Sequence, residues 1–206
     1  MRAEDLYVEL NFSKSQIEAL AKIYYKYFSN EMTEYYEGRG VAALWKEGAT
    51  WERGKGKDAN HNHHGIVSSE CRHDPLWDAF SDILPYMSQS ATITKMPPGE
   101  CMRPHVDRKS RPHAIYFPIS GCTNECVSEY YDLPKMDTPN SQSITVFPTP
   151  LYVYAVAEKA VLTNVYEWHG VKNFSPYERI AFGWNMKIEY SFSECRRILT
   201  DLGYVS

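Results

Sequence analysis

Lys95-Met-Pro-Pro-Gly-Glu-Cys-Met-Arg-Pro-His105-Val-Asp107 is the stretch from which this 206-residue chain is best read. His105 and Asp107 stand two apart in a run with strand character, so both side chains leave the same face. A second histidine, His169, follows 62 residues after Asp107, and Arg179 comes ten residues later. Two imidazoles and one carboxylate can hold a divalent metal while leaving coordination positions open. A cation placed beyond that metal is what a dicarboxylate ligand needs. A lone HxD pattern is weak evidence, being common on surfaces. The interval inside His169-Gly-Val-Lys-Asn-Phe-Ser-Pro-Tyr-Glu-Arg179-Ile-Ala-Phe-Gly-Trp184 gives it specificity.

Residues 91–186 resemble the double-stranded β-helix core of Fe(II)/2-oxoglutarate-dependent oxygenases. The Pro-Pro-Gly approach to His105 and Asp107 is similar to the segment carrying that family's first two ligands. His169-Gly-Val-Lys-Asn is similar to the segment carrying the third, and Arg179 to the basic residue that binds 2-oxoglutarate. The nearest branch is that of aspartyl/asparaginyl and prolyl hydroxylases, including small phage forms, and the resemblance covers about half of the chain. It implies Fe(II) on His105, Asp107 and His169, with 2-oxoglutarate and O2 as co-substrates. It further implies hydroxylation of a C–H bond of an amino acid, free or in a peptide, with succinate and CO2 released. Two other classes stay open: a cupin-type metalloenzyme without 2-oxoglutarate, which gives Arg179 no role, and a non-catalytic binding protein on the same core. Nucleic-acid dealkylation is disfavoured, because Asn185 stands where that branch carries a second arginine.

Composition narrows the partners. Charged residues make up 23% and the net charge is −4, so no basic surface points to nucleic acid. No apolar run approaches the roughly 20 residues that span a bilayer, and the first ten residues lack a signal-peptide core. Five cysteines, odd in number and scattered, suit a reducing compartment, and a cytoplasmic protein is expected. Oligomeric state is left open.

The chain is expected to be mainly β with flanking helices, a single domain over 1–206. Residues 1–90 form a mostly helical flank, 91–190 a jelly-roll or cupin-like double-stranded β-helix, and 191–206 a closing helix. Ser13 and Gln16, or Ser15 and Glu18, offer a capping box for a helix over 13–30, with Ile17, Leu20, Tyr24 and Phe28 on its apolar stripe. Asp74-Pro75 starts a second helix that Pro85 ends. Strands or strand pairs are expected at 91–96, 100–107, 113–120, 124–133, 141–148, 151–164 and 178–190, with Pro, Gly, Asn and Asp between most of them. Ser191 and Glu194 cap the last helix. Residues 31–72 carry no readable motif. His61-Asn-His63-His64 reads as a solvated loop rather than a second metal site, with 55–65 placed as a lid at the mouth of the pocket.

Alternation on the last strand puts Arg179, Ala181 and Gly183 on one face and Ile180, Phe182 and Trp184 on the other. The small face leaves room for a ligand, and the bulky one suits packing against helices. Arg111 either clamps a carboxylate of substrate or co-substrate or lies at the surface. Tyr116 faces inward to hydrogen-bond the co-substrate, in a register that a one-residue slip would reverse. Asn164, Trp168 and Asn173, near the third ligand, either line the pocket or, as favoured, serve turn and packing roles, and His113 is expected in a structural one. Cys122 and Cys126, spaced CxxxC with no second pair, are read as turn residues.

Overall fold

A computed structural model describes residues 2–27, 61–65, 71, 73–107, 109, 111–136, 142–144 and 147–205. Eleven strands lie among them. They are β1 (Tyr7–Leu10), β2 (His61–Gly65), β3 (Met87–Met96), β4 (Cys101–Val106), β5 (His113–Ser120) and β6 (Cys126–Tyr130), then β7 (Gln142–Ser143), β8 (Tyr152–Ala155), β9 (Ala160–Asn164), β10 (His169–Asn173) and β11 (Arg179–Met186). Two α-helices flank them, α1 (Lys14–Tyr27) and α2 (Phe192–Asp201).

The strands form two antiparallel sheets, a major one in the order β1-β9-β5-β11-β3-β2 and a minor one in the order β7-β4-β10-β6-β8. Strands from the two halves of the core interleave: β11 lies between β3 and β5, and β10 between β4 and β6. The chain crosses from sheet to sheet at β3–β4, β4–β5, β5–β6, β8–β9, β9–β10 and β10–β11. This interleaved crossing is a double-stranded β-helix, the jelly-roll architecture expected from the sequence.

All eight residues of β11 are buried, as a central strand covered on both faces requires. Ile180, Phe182 and Trp184 enter the main apolar cluster with Leu20 and Ile23 of α1, Trp77, Phe80 and Leu199 of α2. The Trp184 ring stands 4.9 Å from Trp77 and 5.8 Å from Phe80. The face of Arg179, Ala181 and Gly183 is turned away from these helices, as alternation predicts.

Several local expectations are corrected. The helix begun by Asp74 is not α-helical but two 3-10 turns, Pro75–Phe80 and Leu84–Tyr86. Asp74 caps the first through the Leu76 amide at 2.9 Å. Backbone bonds then run from each N–H to the carbonyl three residues back, at Trp77, Ser81, Ile83 and Tyr86. Trp77, Phe80 and Ile83 are the buried groups, and a spacing of three aligns side chains on a 3-10 turn rather than an α-helix. Strand β3 starts at Met87 rather than 91, and 141–148 keeps only the short β7 among its described residues. The 151–164 run splits into β8 and β9, which join different sheets. Three strands carried no expectation: β1, β2 and β10. Strand β2 replaces the solvated loop at 61–65, pairing with β3 so that His61 stands opposite Thr94. Residues 55–60 of the expected lid lie outside the described residues.

Both helix caps hold. Ser13 and Gln16 exchange backbone-to-side-chain bonds of 3.2 and 2.9 Å before α1, and Ser191 and Glu194 do so before α2. Gly121, in the β5–β6 turn, has φ +62° and an added Cβ would lie 2.0 Å from the Glu178 carbonyl oxygen, so only glycine fits there. No helix among the described residues is long and apolar enough to cross a membrane.

Candidate metal centre

His105 sits near the end of β4, with Asp107 just past it, and His169 opens β10. The two strands are neighbours, and His105 and His169 are direct partners across them, with ring centroids 4.2 Å apart. The β4–β10 register shifts between His169 and Val171. This bulge turns His169 beside its partner, as bulges near sites commonly do. Gly170 lies in it, where an added Cβ would sit 3.0 Å from the Met102 carbonyl oxygen and 3.2 Å from the Tyr131 hydroxyl. The Asp107 amide donates to the Val165 carbonyl at 2.9 Å, tying the carboxylate-bearing turn to the chain that leads into β10. One donor atom from each of His105, Asp107 and His169 falls within 4.8 Å of the others, and all three residues are buried.

Hydrogen bonds settle which ring nitrogens face that point. Nδ1 of His105 lies 2.8 Å from the Arg103 carbonyl, and Nδ1 of His169 lies 2.8 Å from the Glu167 carbonyl. A carbonyl oxygen only accepts, so each Nδ1 carries its proton and each Nε2 presents a lone pair. Burial, reinforced by His105, pushes the His169 pKa down to about 3, which keeps it neutral. Nε2 of His105 stands 3.7 Å from Oδ1 of Asp107. Two imidazoles and a carboxylate on one side of a point suit a divalent metal with open positions.

A cavity lies beside this cluster, and Arg111, Tyr116 and Arg179 reach its wall together with both histidines. Arg179 is only 2% exposed, and its Nε and Nη1 find no hydrogen-bond partner among the described residues. A buried guanidinium left so is costly, and an anion in the cavity would satisfy it. Tyr116 lines the cavity as expected, and burial raises its phenol above the usual range. Arg111 is not at the surface: its side chain is 11% exposed and it pairs with Oδ2 of Asp107.

The remaining expectations divide cleanly. Asn173 is fully buried and serves structure, its amide donating to the carbonyls of Met96, Pro97 and Tyr177 at 2.9, 3.1 and 2.7 Å. Trp168 packs with Val106 and Tyr131 and donates to the Pro134 carbonyl at 3.1 Å. Asn164 donates to the Asp5 carbonyl at 3.3 Å. His113 stands outside the cluster, its ring 5.5 Å from Phe192 of α2. The Cys122 thiol donates to the Ile180 carbonyl at 3.2 Å, and Cys126 lies buried beside Asn173. All five cysteines are free thiols. Sequence reading missed the cavity hydroxyls of Thr94, Ser128, Tyr154 and Thr163. Alternation along β3 could have offered Thr94, whereas Ser128 and Tyr154 depend on the pairing of β6 with β8.

No protein-family model and no curated protein matches the chain. Solved structures do. A Burkholderia pseudomallei oxidoreductase of the 2OG-Fe(II) oxygenase family matches at 14% identity and TM-score 0.37, over 62% of this chain and 57% of that one, so this chain spans little more than half of its length. A Pseudomonas putida prolyl-4-hydroxylase matches at 13% identity and TM-score 0.40, over 90% and 94%. The non-heme α-ketoglutarate-dependent carbocyclase SnoK of nogalamycin biosynthesis matches at 13% and 0.48, over 90% and 80%. Likeness this distant carries no chemistry, which rests here on the cluster and its cavity.

Proposed function

We propose that the protein is an Fe(II)- and 2-oxoglutarate-dependent oxygenase. The observation that carries this reading is the buried Arg179 guanidinium, with Nε and Nη1 unpartnered among the described residues, in the cavity that also holds His105 and His169. A metal site alone fits a cupin-type enzyme equally well, but such a site leaves that cation without a purpose.

His105, Asp107 and His169 would hold Fe(II), which with 2-oxoglutarate and O2 supplies the oxidation of a C–H bond, with succinate and CO2 as co-products. The Nδ1 bonds to the Arg103 and Glu167 carbonyls fix both rings with Nε2 forward, so little reorganises when a metal arrives. Arg179 would bind the distal carboxylate of 2-oxoglutarate through a two-pronged charge-assisted contact. Tyr116, a neutral phenol on the same wall, would add a hydrogen bond to that ligand. The cavity wall is mostly polar or charged, with Thr94, Ser128 and Thr163 beside the cations, which suits a small polar ligand. The substrate class we favour is an amino acid, free or within a peptide, with hydroxylation as the outcome. Its support is the resemblance of the 95–107 stretch to the aspartyl/asparaginyl and prolyl hydroxylase branch.

Succinate release from 2-oxoglutarate, with Fe(II) supplied and free amino acids and peptides screened as substrates, tests both levels. Fe(II)-dependent succinate is expected. A metal-dependent product formed without 2-oxoglutarate consumption would move the protein to the cupin class.

A further inference from the structure

Arg111 has no part in the chemistry described so far, yet it pairs directly with a candidate metal-site carboxylate. It follows Asp107 by four residues, across the turn that leads into β5. Pro112 comes next, and a residue before proline is confined to extended backbone. The Tyr166 amide donates to the Pro112 carbonyl at 3.2 Å, pinning this turn to the segment before β10. The guanidinium is thereby directed at Asp107.

The two oxygens of that carboxylate have different neighbours. Oδ1 stands 3.7 Å from Nε2 of His105, on the side of the three-residue cluster. Oδ2 is taken by Nη2 of Arg111. Tyr116 lines the same cavity wall as Arg111, and its phenol adds to the polar surroundings that keep the guanidinium charged. The result is an Arg111–Asp107 pair with only Oδ1 facing the histidines.

We propose that Arg111 is a positioning residue that holds Oδ2 and leaves the metal a single oxygen of Asp107. The inference rests on the metal-site reading above. A carboxylate free to turn can clasp a metal through both oxygens and occupy a position that a co-substrate needs. One whose Oδ2 is held by the Arg111 guanidinium resists this, because rotating Oδ2 inward would break a buried ion pair. The neighbouring positive charge opposes metal binding while the bracing favours it. For an outer-sphere partner that orients a ligand, bracing prevails and its loss weakens the site.

The test uses the full-length protein without 2-oxoglutarate and reads metal binding rather than turnover. Mn(II) is titrated into parent, Arg111→Met, Arg111→Lys and Tyr116→Phe proteins, and Co(II) absorption spectra report coordination number. Arg111→Met is expected to weaken Mn(II) binding about tenfold and to change the Co(II) spectrum, with Arg111→Lys restoring most of the affinity. Tyr116→Phe, which keeps the ion pair and removes a polar group from its surroundings, is expected to weaken binding about threefold in the same direction, and it answers the question if Arg111→Met fails to fold. Variants that bind Mn(II) as the parent does, or more tightly, with an unchanged Co(II) spectrum would overturn the positioning role. A parent that takes up no Mn(II) would overturn the metal reading itself, and this inference with it.

Discussion

The two sheets of this barrel are built from the same strand pairing and spend it differently. The major sheet presses Ile180, Phe182 and Trp184 of β11 against α1, α2 and the 3-10 turns, inside the largest apolar cluster. The minor sheet enters only smaller clusters among the described residues: Val106 with Tyr131 and Trp168, and Tyr130 and Tyr154 with Leu6, Val156 and Val161. It carries instead the candidate metal ligands His105 on β4 and His169 on β10, with Asp107 just past β4. The largest apolar packing therefore lies on the outer face of the major sheet, while the candidate ligands face the cavity from the minor one. Arg179 bridges the division, a polar group on the inner face of the apolar sheet.

The widest contrast is expected from residues in the minor sheet. His105→Ala or His169→Ala should reduce Fe(II)-dependent succinate formation to background while circular dichroism and the unfolding midpoint stay near the parent's. A large loss of stability in either variant would mean that the histidines belong to the core after all. Phe182→Ala in the major sheet should do the reverse, costing about 3–5 kcal/mol by cavity formation, read by denaturant titration. Arg179→Met tests the bridge. Charge-assisted hydrogen bonds contribute about 1.5–3 kcal/mol each, so the 2-oxoglutarate KM should rise roughly a hundredfold with metal affinity little changed. Unchanged 2-oxoglutarate use would make Arg179 structural.

The smallest effect separates the histidines of the two sheets. His113 on β5 is pushed down to about 4, chiefly by burial, without belonging to the metal cluster. Its folded pKa is below the ordinary value, so the folded state binds fewer protons. Its contribution is intact above about pH 6.5 and is lost as pH falls toward 4, amounting to 3 kcal/mol at most by order of magnitude. His113→Gln should flatten the acid limb of the stability profile between those values. Parallel limbs for parent and variant would show that His113 protonates freely in the fold.

Much of this was legible because it depends on local alternation and spacing. The two faces of β11 follow from period two, and the caps at Ser13 and Ser191 follow from residue types three apart. His105 and Asp107 share a face for the same reason. Strand β10 was not legible: His169-Gly-Val-Lys-Asn173 is short, polar and broken by glycine, and it becomes a strand because β4 and β6 pair with it on both sides. The helix expected after Asp74 went wrong because the i, i+3 spacing of Trp77, Phe80 and Ile83 fits both helix types, and packing against Trp184 selects the tighter one.

The sequence by itself determined the alternating strands, the helix caps, the residue types for a metal and the inward face of Arg179, since each depends on neighbours within a few positions. Only the tertiary structure decided which distant groups meet. It set His105 opposite His169 through strand pairing, fixed both rings by carbonyls two residues back, and gave Oδ2 of Asp107 to Arg111. The reason is physical: a spacing fixes where a side chain points along its own strand, whereas the partner it meets is set by how two sheets close around a cavity.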